Sequence, residues 1–278
     1  MSGRFTRGVT LAAGAALFFA LLSEGNLGSA QGRRPVDLEL VLAVDTSSSV
    51  SPGEFDLQMR GIASAFRDPA VQAAIQAAGD LGIAVAMVQW SDNRKQTLAI
   101  HWKMVRDPVS AEAFANEIDG TPRYLIGGGT AIGGAVNFAA HQLRINRYNG
   151  RRMVIDVSGD GRTNQGSNPA RARDDAVAQG ITINGLAILC RQADCGGRPV
   201  TYSVEVAFER DIIGGPGSFV VTADGRDSFA EAVRQKLVLE IASPAPSCGH
   251  SASEPLVRPC IRRAIRSRTS LGVIGFSR

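Results

Sequence analysis

Short apolar runs alternate along the chain with longer stretches in which apolar residues recur every three or four positions. The run at residues 38–44 is almost continuously apolar, which is typical of a strand buried on both faces of a parallel sheet. Ser51, Pro52 and Glu54 then form a helix-start pattern of capping serine, first-turn proline and glutamate three residues after the cap. The same reasoning predicts strands at 38–44, 82–91, 96–102, 152–158, 181–189 and 218–223, and helices at 51–66, 69–79, 110–118, 131–143, 168–180, 201–212 and 227–242.

Strands and helices that alternate at these lengths predict an α/β fold, a doubly wound and mostly parallel sheet flanked by helices. In such sheets ligands bind outside the carboxyl ends of the strands, near the point where the strand order reverses. The loops that follow the strands are therefore where we expect functional residues.

The two ends of the chain differ in composition from the predicted domain at 36–242. Residues 1–30 combine Arg4 and Arg7 with an apolar run at 11–22 and small residues at 28–30, which indicates a cleaved signal peptide. An uncleaved N-terminal anchor is the alternative. No later segment is apolar for long enough to cross a membrane, so we expect a periplasmic or secreted protein.

The formal net charge of +4 is concentrated at the C-terminus. Residues 243–278 are rich in Ser, Pro and Arg, and we expect little packed structure there. From Arg258 onward there are six arginines and no acidic residue. We expect a solvated terminus; contact of this basic tail with an anionic surface is the alternative, and no specific nucleic-acid binding is expected.

The chain has four cysteines: Cys190, Cys195, Cys248 and Cys260. An exported chain meets an oxidising compartment, so these residues are disulfide candidates. Of the three possible connectivities, we favour the two short loops, Cys190 with Cys195 and Cys248 with Cys260. Zinc is the rival interpretation, but the spacings are not the usual C-x2-C pairs.

Oxygen-bearing side chains occur at three junctions between strands, loops and helices. Asp45, Ser47 and Ser49 come at the end of the first strand, Thr130 ends a glycine-rich loop, and Asp160 follows a later central strand. Alternate residues of an extended segment point the same way, so the spacing of the first three lets them face one point. Carboxylate and hydroxyl oxygens suit a hard divalent cation such as Mg²⁺. The sequence therefore predicts a metal site at the carboxyl edge of the sheet.

The pattern Asp45-x-Ser47-x-Ser49, with a distant Thr130 and a later Asp160, resembles the metal-ion-dependent adhesion site (MIDAS) of von Willebrand factor type A (vWA) domains. The resemblance implies a Rossmann-like fold in which the serines and the threonine touch a bound Mg²⁺ or Mn²⁺, and the aspartates bind it directly or through water. It also implies an open coordination position that a Glu or Asp of a partner protein fills. Further segments of the chain are similar to an uncharacterised group of exported bacterial vWA proteins.

Two features depart from the family pattern. Gly159 precedes Asp160 where many vWA domains have threonine, and Ser158 either supports the metal site or faces a helix. The insert at 190–199 is expected to be a loop closed by a small disulfide, although it could also shape a ligand surface.

These observations favour a binding module that is not an enzyme. A metal-assisted hydrolase using the same carboxylates and a structural envelope protein with a non-functional metal site are the alternatives. The chain has no G-x-S-x-G motif, and His101, His141 and His250 are scattered, so no general base is evident. Asp156 lies too far along its strand from Asp160 to share a cation with it, and a buried hydrogen bond to a loop is its expected role.

Overall fold

The computed structural model describes residues 32–189 and 203–243. The predicted signal peptide, the insert, the arginine-rich tail and all four cysteines lie outside these residues, so the expectations about export, disulfides and the tail stay predictions. No helix in the described part of the chain is long and apolar enough to span a bilayer.

Six strands and seven helices make up the described residues, and their order matches the predicted alternation. The strands are β1 (Arg34–Asp45), β2 (Ile83–Trp90), β3 (Gln96–Val105), β4 (Tyr148–Gly159), β5 (Ile181–Leu189) and β6 (Val220–Asp224). The helices are α1 (Pro52–Arg67), α2 (Pro69–Ala77), α3 (Pro108–Asp119), α4 (Ile132–Ile145), α5 (Pro169–Val177), α6 (Val204–Asp211) and α7 (Arg226–Ala242).

The strands form one sheet in the order β3-β2-β1-β4-β5-β6. All neighbours are parallel except β2 and β3, which form an antiparallel edge. The chain builds outward from β1 to β2 and β3 on one side and later from β4 to β6 on the other. The strand order therefore reverses between β1 and β4, which is the position where α/β sheets bind ligands. The predicted doubly wound, mostly parallel sheet is confirmed.

Strand β1 runs through the centre of the sheet and separates two hydrophobic clusters. Leu40 and Leu42 belong to the cluster that includes Phe66 of α1, whereas Val41 and Ala43 belong to the cluster that includes Val136 of α4. Successive side chains of a strand point to opposite faces, so β1 contributes alternately to both clusters. This explains why the strand is apolar without the alternation of a half-exposed strand.

Strands β1 and β4 each begin four residues earlier than predicted. The early part of β1 carries the buried carboxylates of Asp37 and Glu39, which break the apolar pattern. Asp37 accepts a hydrogen bond from the N–H of Leu81 at 2.8 Å and pairs with Arg151 at 3.0 Å. Glu39 accepts a hydrogen bond from the N–H of Gly150 at 2.6 Å. Because partners from other elements satisfy these carboxylates, the strand continues through them.

The start of α1 has the predicted cap. The Ser51 side chain accepts a hydrogen bond from the N–H of Glu54, and the Glu54 carboxylate accepts one from the N–H of Ser51 at 2.7 Å. This reciprocal cap fixes the helix directly after the loop that carries Ser47 and Ser49.

The prediction for Asp156 was wrong. Its carboxylate does not bond to a loop but pairs with Lys236 of α7, whose Nζ lies 2.6 Å from its Oδ1. The pairing joins the middle of β4 to a helix that is distant in sequence, so no local pattern could indicate it.

Candidate metal site

The candidate ligands lie on loops that meet at the carboxyl edge of the sheet. Asp45 is the last residue of β1, and Asp160 directly follows the last residue of β4. Since β1 and β4 are adjacent and parallel, both strands end at this edge. The antiparallel pair β2 and β3 brings a third loop, residues 91–95, to the same side.

Hydrogen bonds connect four of the five predicted ligands. The N–H of Ser47 donates to Oδ1 of Asp45 at 2.7 Å, and the hydroxyl oxygens of Ser47 and Ser49 lie 3.0 Å apart. The Ser49 hydroxyl donates to Oδ1 of Asp160 at 2.9 Å. These contacts place the end of β1 and the end of β4 within one hydrogen-bonded cluster.

Thr130 reaches the same edge through its backbone. The glycine-rich loop before it is bound to the Ser47–Ser49 segment by a hydrogen bond from the N–H of Ser48 to the carbonyl of Gly128 at 3.0 Å. On its other side, the N–H of Thr130 donates to Oδ1 of Asn164 at 2.9 Å, and its carbonyl accepts from the N–H of Asn164. The Thr130 side chain is buried and makes no hydrogen bond with the other four predicted ligands.

Gly128 has a positive φ of 105°, a conformation that favours glycine. A Cβ at this position would lie 2.5 Å from the hydroxyl oxygen of Ser91 and 2.7 Å from a carboxylate oxygen of Asp92. The Ser91 hydroxyl in turn donates to the carbonyl of Gly127 at 2.6 Å. The glycines therefore let the loop pack closely against the residues that follow β2.

Asp45 is fully buried, and its Oδ2 has no hydrogen-bond partner among the described residues. Burial, and secondly the negative charge of Asp160, raises the pKa of Asp45 to about 8, although hydrogen bonds from Ser47 and the charge of Arg123 oppose the shift. Burial and the nearby charge of Glu54 also raise the pKa of Asp160. Two desolvated carboxylates, one of them with an unpartnered oxygen, are an arrangement that a bound cation would stabilise.

The donor set is made entirely of oxygen. In the described part of the chain, no three residues of the types His, Cys, Asp and Glu come together as a group that could hold a metal. A cation at this edge would therefore depend on serine and threonine hydroxyls as well as on two carboxylates. Such a set fits a hard ion and does not fit one that prefers nitrogen or sulfur ligands.

Arg123 was not among the predicted site residues. Its Nη2 donates to the carbonyls of Thr46 and Ser47 at 2.8 and 3.1 Å, and its guanidinium lies 5.6 Å from the ring centroid of Phe55. Through these contacts Arg123 holds the backbone of the loop between β1 and α1, and it brings a positive charge near Asp45. It follows no motif and comes from a segment far away in sequence, so no sequence signal could have identified it.

The departure at Ser158 and Gly159 has a structural explanation, whereas the insert at 190–199 lies outside the described residues. Ser158 faces α1, where its hydroxyl donates to Oε1 of Gln58 at 3.1 Å, so it lies on the helix side and not among the ligands. A Cβ on Gly159 would lie 3.3 Å from Oδ2 of Asp45. Glycine at this position leaves room beside the unpartnered oxygen.

No histidine in the described residues contacts the cluster. His101 is exposed on the edge strand β3, and His141 is exposed on α4, where its Nδ1 lies 2.9 Å from a guanidinium nitrogen of Arg144. His250 lies outside the described residues.

This sheet order is that of the vWA fold, as the resemblance in the sequence predicted. A structure of proximal thread matrix protein 1 from the mussel byssus matches with 18% identity and a TM-score of 0.52, covering 76% of this chain and 49% of that chain. A second structure of that protein, with a zinc-occupied MIDAS motif, matches with 18% identity and a TM-score of 0.53, covering 75% and 48%. A von Willebrand factor type A structure from Catenulispora acidiphila has 17% identity and a TM-score of 0.49, covering 74% and 42%.

The chain belongs to the family described as Protein of unknown function (DUF1194), whose sequence profile matches residues 35–245. It spans about half the length of the mussel protein that shares its fold. A search of curated proteins found no match.

Proposed function

We propose that the chain is an exported vWA-type binding module that holds Mg²⁺ and uses it to capture an acidic side chain of a partner protein. The ligands would be Asp45, Ser47, Ser49, Thr130 and Asp160. The observation that carries the proposal is the buried Oδ2 of Asp45, which has no partner among the described residues although it lies in a cluster of oxygen atoms. A bound cation would supply its counter-charge.

The donor set favours Mg²⁺, with Mn²⁺ as the closest substitute. Mg²⁺ takes oxygen ligands in octahedral geometry and retains several waters, so two carboxylates and a few hydroxyls suffice. The zinc-occupied MIDAS of the mussel protein supports a divalent metal in this fold. Zinc itself prefers nitrogen and sulfur ligands, which this cluster lacks.

The chemistry of the proposed metal ligands also favours a carboxylate as the ligand supplied by the partner. The hydroxyls are neutral, so a divalent cation here is balanced only by Asp45 and Asp160. A water-occupied position on such a hard ion is readily taken by another carboxylate oxygen. The partner is therefore expected to present Glu or Asp at the carboxyl edge of the sheet.

Metal binding is tested by calorimetric titration of the metal-free protein with Mg²⁺. We expect wild type to bind and Asp45→Ala to show no binding while keeping the far-UV circular dichroism of wild type. Ser48→Ala is the matched control, because Ser48 lies in the same loop but is exposed and makes only a backbone hydrogen bond to the glycine loop. Unchanged Mg²⁺ affinity in Asp45→Ala would contradict the proposal.

Partner capture is tested separately with immobilised protein and a cell-envelope extract. We expect a protein that is retained by wild type and Ser48→Ala in Mg²⁺, is released by EDTA, and is not retained by Asp45→Ala. Retention that ignores both EDTA and the Asp45 substitution would show that the partner binds elsewhere.

A further inference from the structure

A second cluster of ionisable groups is buried between α7 and the sheet, apart from the candidate metal ligands. Lys236 and Glu240 of α7 are each 1% exposed, and Asp156 of β4 is 9% exposed. Apolar side chains, including those of Leu186 and Phe229, line the small cavity beside Asp156 and Lys236. The three ionisable side chains are therefore largely removed from solvent, although Glu240 also lines a second, larger cavity beside Arg152.

The contacts within this cluster bring an amine against two carboxyl groups. Nζ of Lys236 lies 2.6 Å from Oδ1 of Asp156 and also contacts Oε1 of Glu240. The contact with Asp156 lacks the angles of a hydrogen bond, so the amine is beside the carboxyl group without being aligned to donate to it. Asn184 of β5 donates to Oε1 of Glu240 at 3.0 Å and so holds the glutamate in place.

An ion pair alone is a weak explanation for this arrangement. Desolvating charged groups costs several kcal/mol per ion, and packed apolar residues often stabilise a core as well or better. Lys236 is the base in direct contact with the two acids, while Arg152 lies nearby and donates to the carbonyls of Glu240 and Ile241. Oε2 of Glu240 has no hydrogen-bond partner among the described residues. Charged groups that are buried and incompletely paired suggest a chemical role.

The same three residue types have the properties required for amide formation. A lysine amine becomes a nucleophile when it is desolvated and loses its proton, and fixed proximity replaces a bimolecular encounter. A neighbouring acid that exchanges protons near neutral pH can serve both as base and as acid. Burial, and secondly the charge of Asp156, raises the pKa of Glu240 to about 7.

We propose that Lys236 and Asp156 form an intramolecular amide bond, with Glu240 as the proton shuttle. Glu240 accepts a proton from the lysine ammonium, and the neutral Nζ attacks Cγ of Asp156. The bond between Cγ and one carboxylate oxygen then breaks, and that oxygen leaves as water with protons delivered through Glu240. Overall, one ammonium and one carboxylate give one amide and one water, so no oxidant, reductant or activating group is needed.

Such a bond would link α7 covalently to the central strand β4. The two residues come from distant parts of the chain, so the bond would close a large loop and restrict the unfolded state, as other long-range cross-links do. The proposal is independent of the metal site, because none of its residues is a candidate ligand.

The test is mass spectrometry of the purified full chain after proteolysis under denaturing conditions. We expect a branched peptide joining residues 156 and 236, with a mass lower by one water than the sum of its two parts. Lys236→Arg keeps the positive charge and should yield only linear peptides. Wild-type protein that yields the two linear peptides in full, with no branched species, would overturn the proposal and leave the cluster as an ion pair.

The role of Glu240 is tested by Glu240→Gln, which keeps the shape of the side chain but cannot shuttle a proton. We expect the branched peptide to form about 100-fold more slowly or not at all. Glu231→Gln is the matched control, because Glu231 lies on the exposed side of the same helix and pairs with Arg234. A branched peptide at the wild-type level in Glu240→Gln would refute the shuttle.

Discussion

The substitution Asp45→Asn separates the two roles of the buried carboxylate at the candidate metal site. Asparagine keeps the shape of the side chain and an oxygen that can accept the N–H of Ser47, but it removes the negative charge. We therefore expect opposite effects with and without metal. Metal-free protein should become more stable, while the response to Mg²⁺ should disappear.

The size of the effect follows from the raised pKa of Asp45, which is about 8 in the folded protein against a reference value of 3.8. The folded state holds this proton more tightly than the unfolded state does. The stabilisation that this bound proton gives the folded state is complete below about pH 4 and is lost as the pH rises through about 8. One pKa unit corresponds to about 1.4 kcal/mol, and after allowance for relaxation and water entry we expect a loss on the order of 2 kcal/mol.

Thermal melts followed by circular dichroism measure this effect. In EDTA at about pH 8.5, Asp45→Asn should unfold some 4–8 °C above wild type, and the difference should shrink at about pH 4. With Mg²⁺ at about 100 times its Kd, wild type should gain about 2.7 kcal/mol and the variant nothing. If Asp45→Asn is no more stable than wild type in EDTA at high pH, the ionised Asp45 carboxylate does not destabilise the folded protein. If both proteins respond equally to Mg²⁺, the cation binds elsewhere.

Two further substitutions test how the site is built. Ser49→Ala removes the hydroxyl that donates to Asp160 and should weaken Mg²⁺ binding about 10- to 100-fold by calorimetry, whereas Ser48→Ala should bind like wild type. Arg123→Gln removes the guanidinium that donates to the carbonyls of Thr46 and Ser47, and urea denaturation should show a loss of about 1–3 kcal/mol. An Arg123→Gln variant with wild-type stability and Mg²⁺ affinity would show that this arginine does not support the loop.

Much of the fold was predictable because its signals are local. The apolar run of β1 indicates a central strand, since both faces of that strand contribute to a hydrophobic cluster. Ser51, Pro52 and Glu54 define a helix start within four residues, and the structure has that cap. The early start of β1 was missed because the buried Asp37 looks like a residue outside a strand until its distant partners are known.

The candidate ligands show the same difference between local signals and long-range contacts. Asp45, Ser47 and Ser49 share one short segment, and their spacing indicated that they act together. The structure connects this segment to Asp160 by a hydrogen bond, and it brings Thr130 to the same edge through backbone contacts. That these residues bind a metal stays a proposal, which calorimetric titration with Mg²⁺ tests.

The sequence by itself determined the order of strands and helices, the helix caps and the oxygen-rich loops, because these depend on periodicity and on neighbours within a few residues. Only the tertiary structure decided that Arg123 donates to the backbone of the loop that follows Asp45, and that Lys236 and Asp156 meet in the buried interior. Contacts of that kind join segments far apart in the chain. Their energy depends on burial and geometry, which the spacing of residues along the chain does not encode.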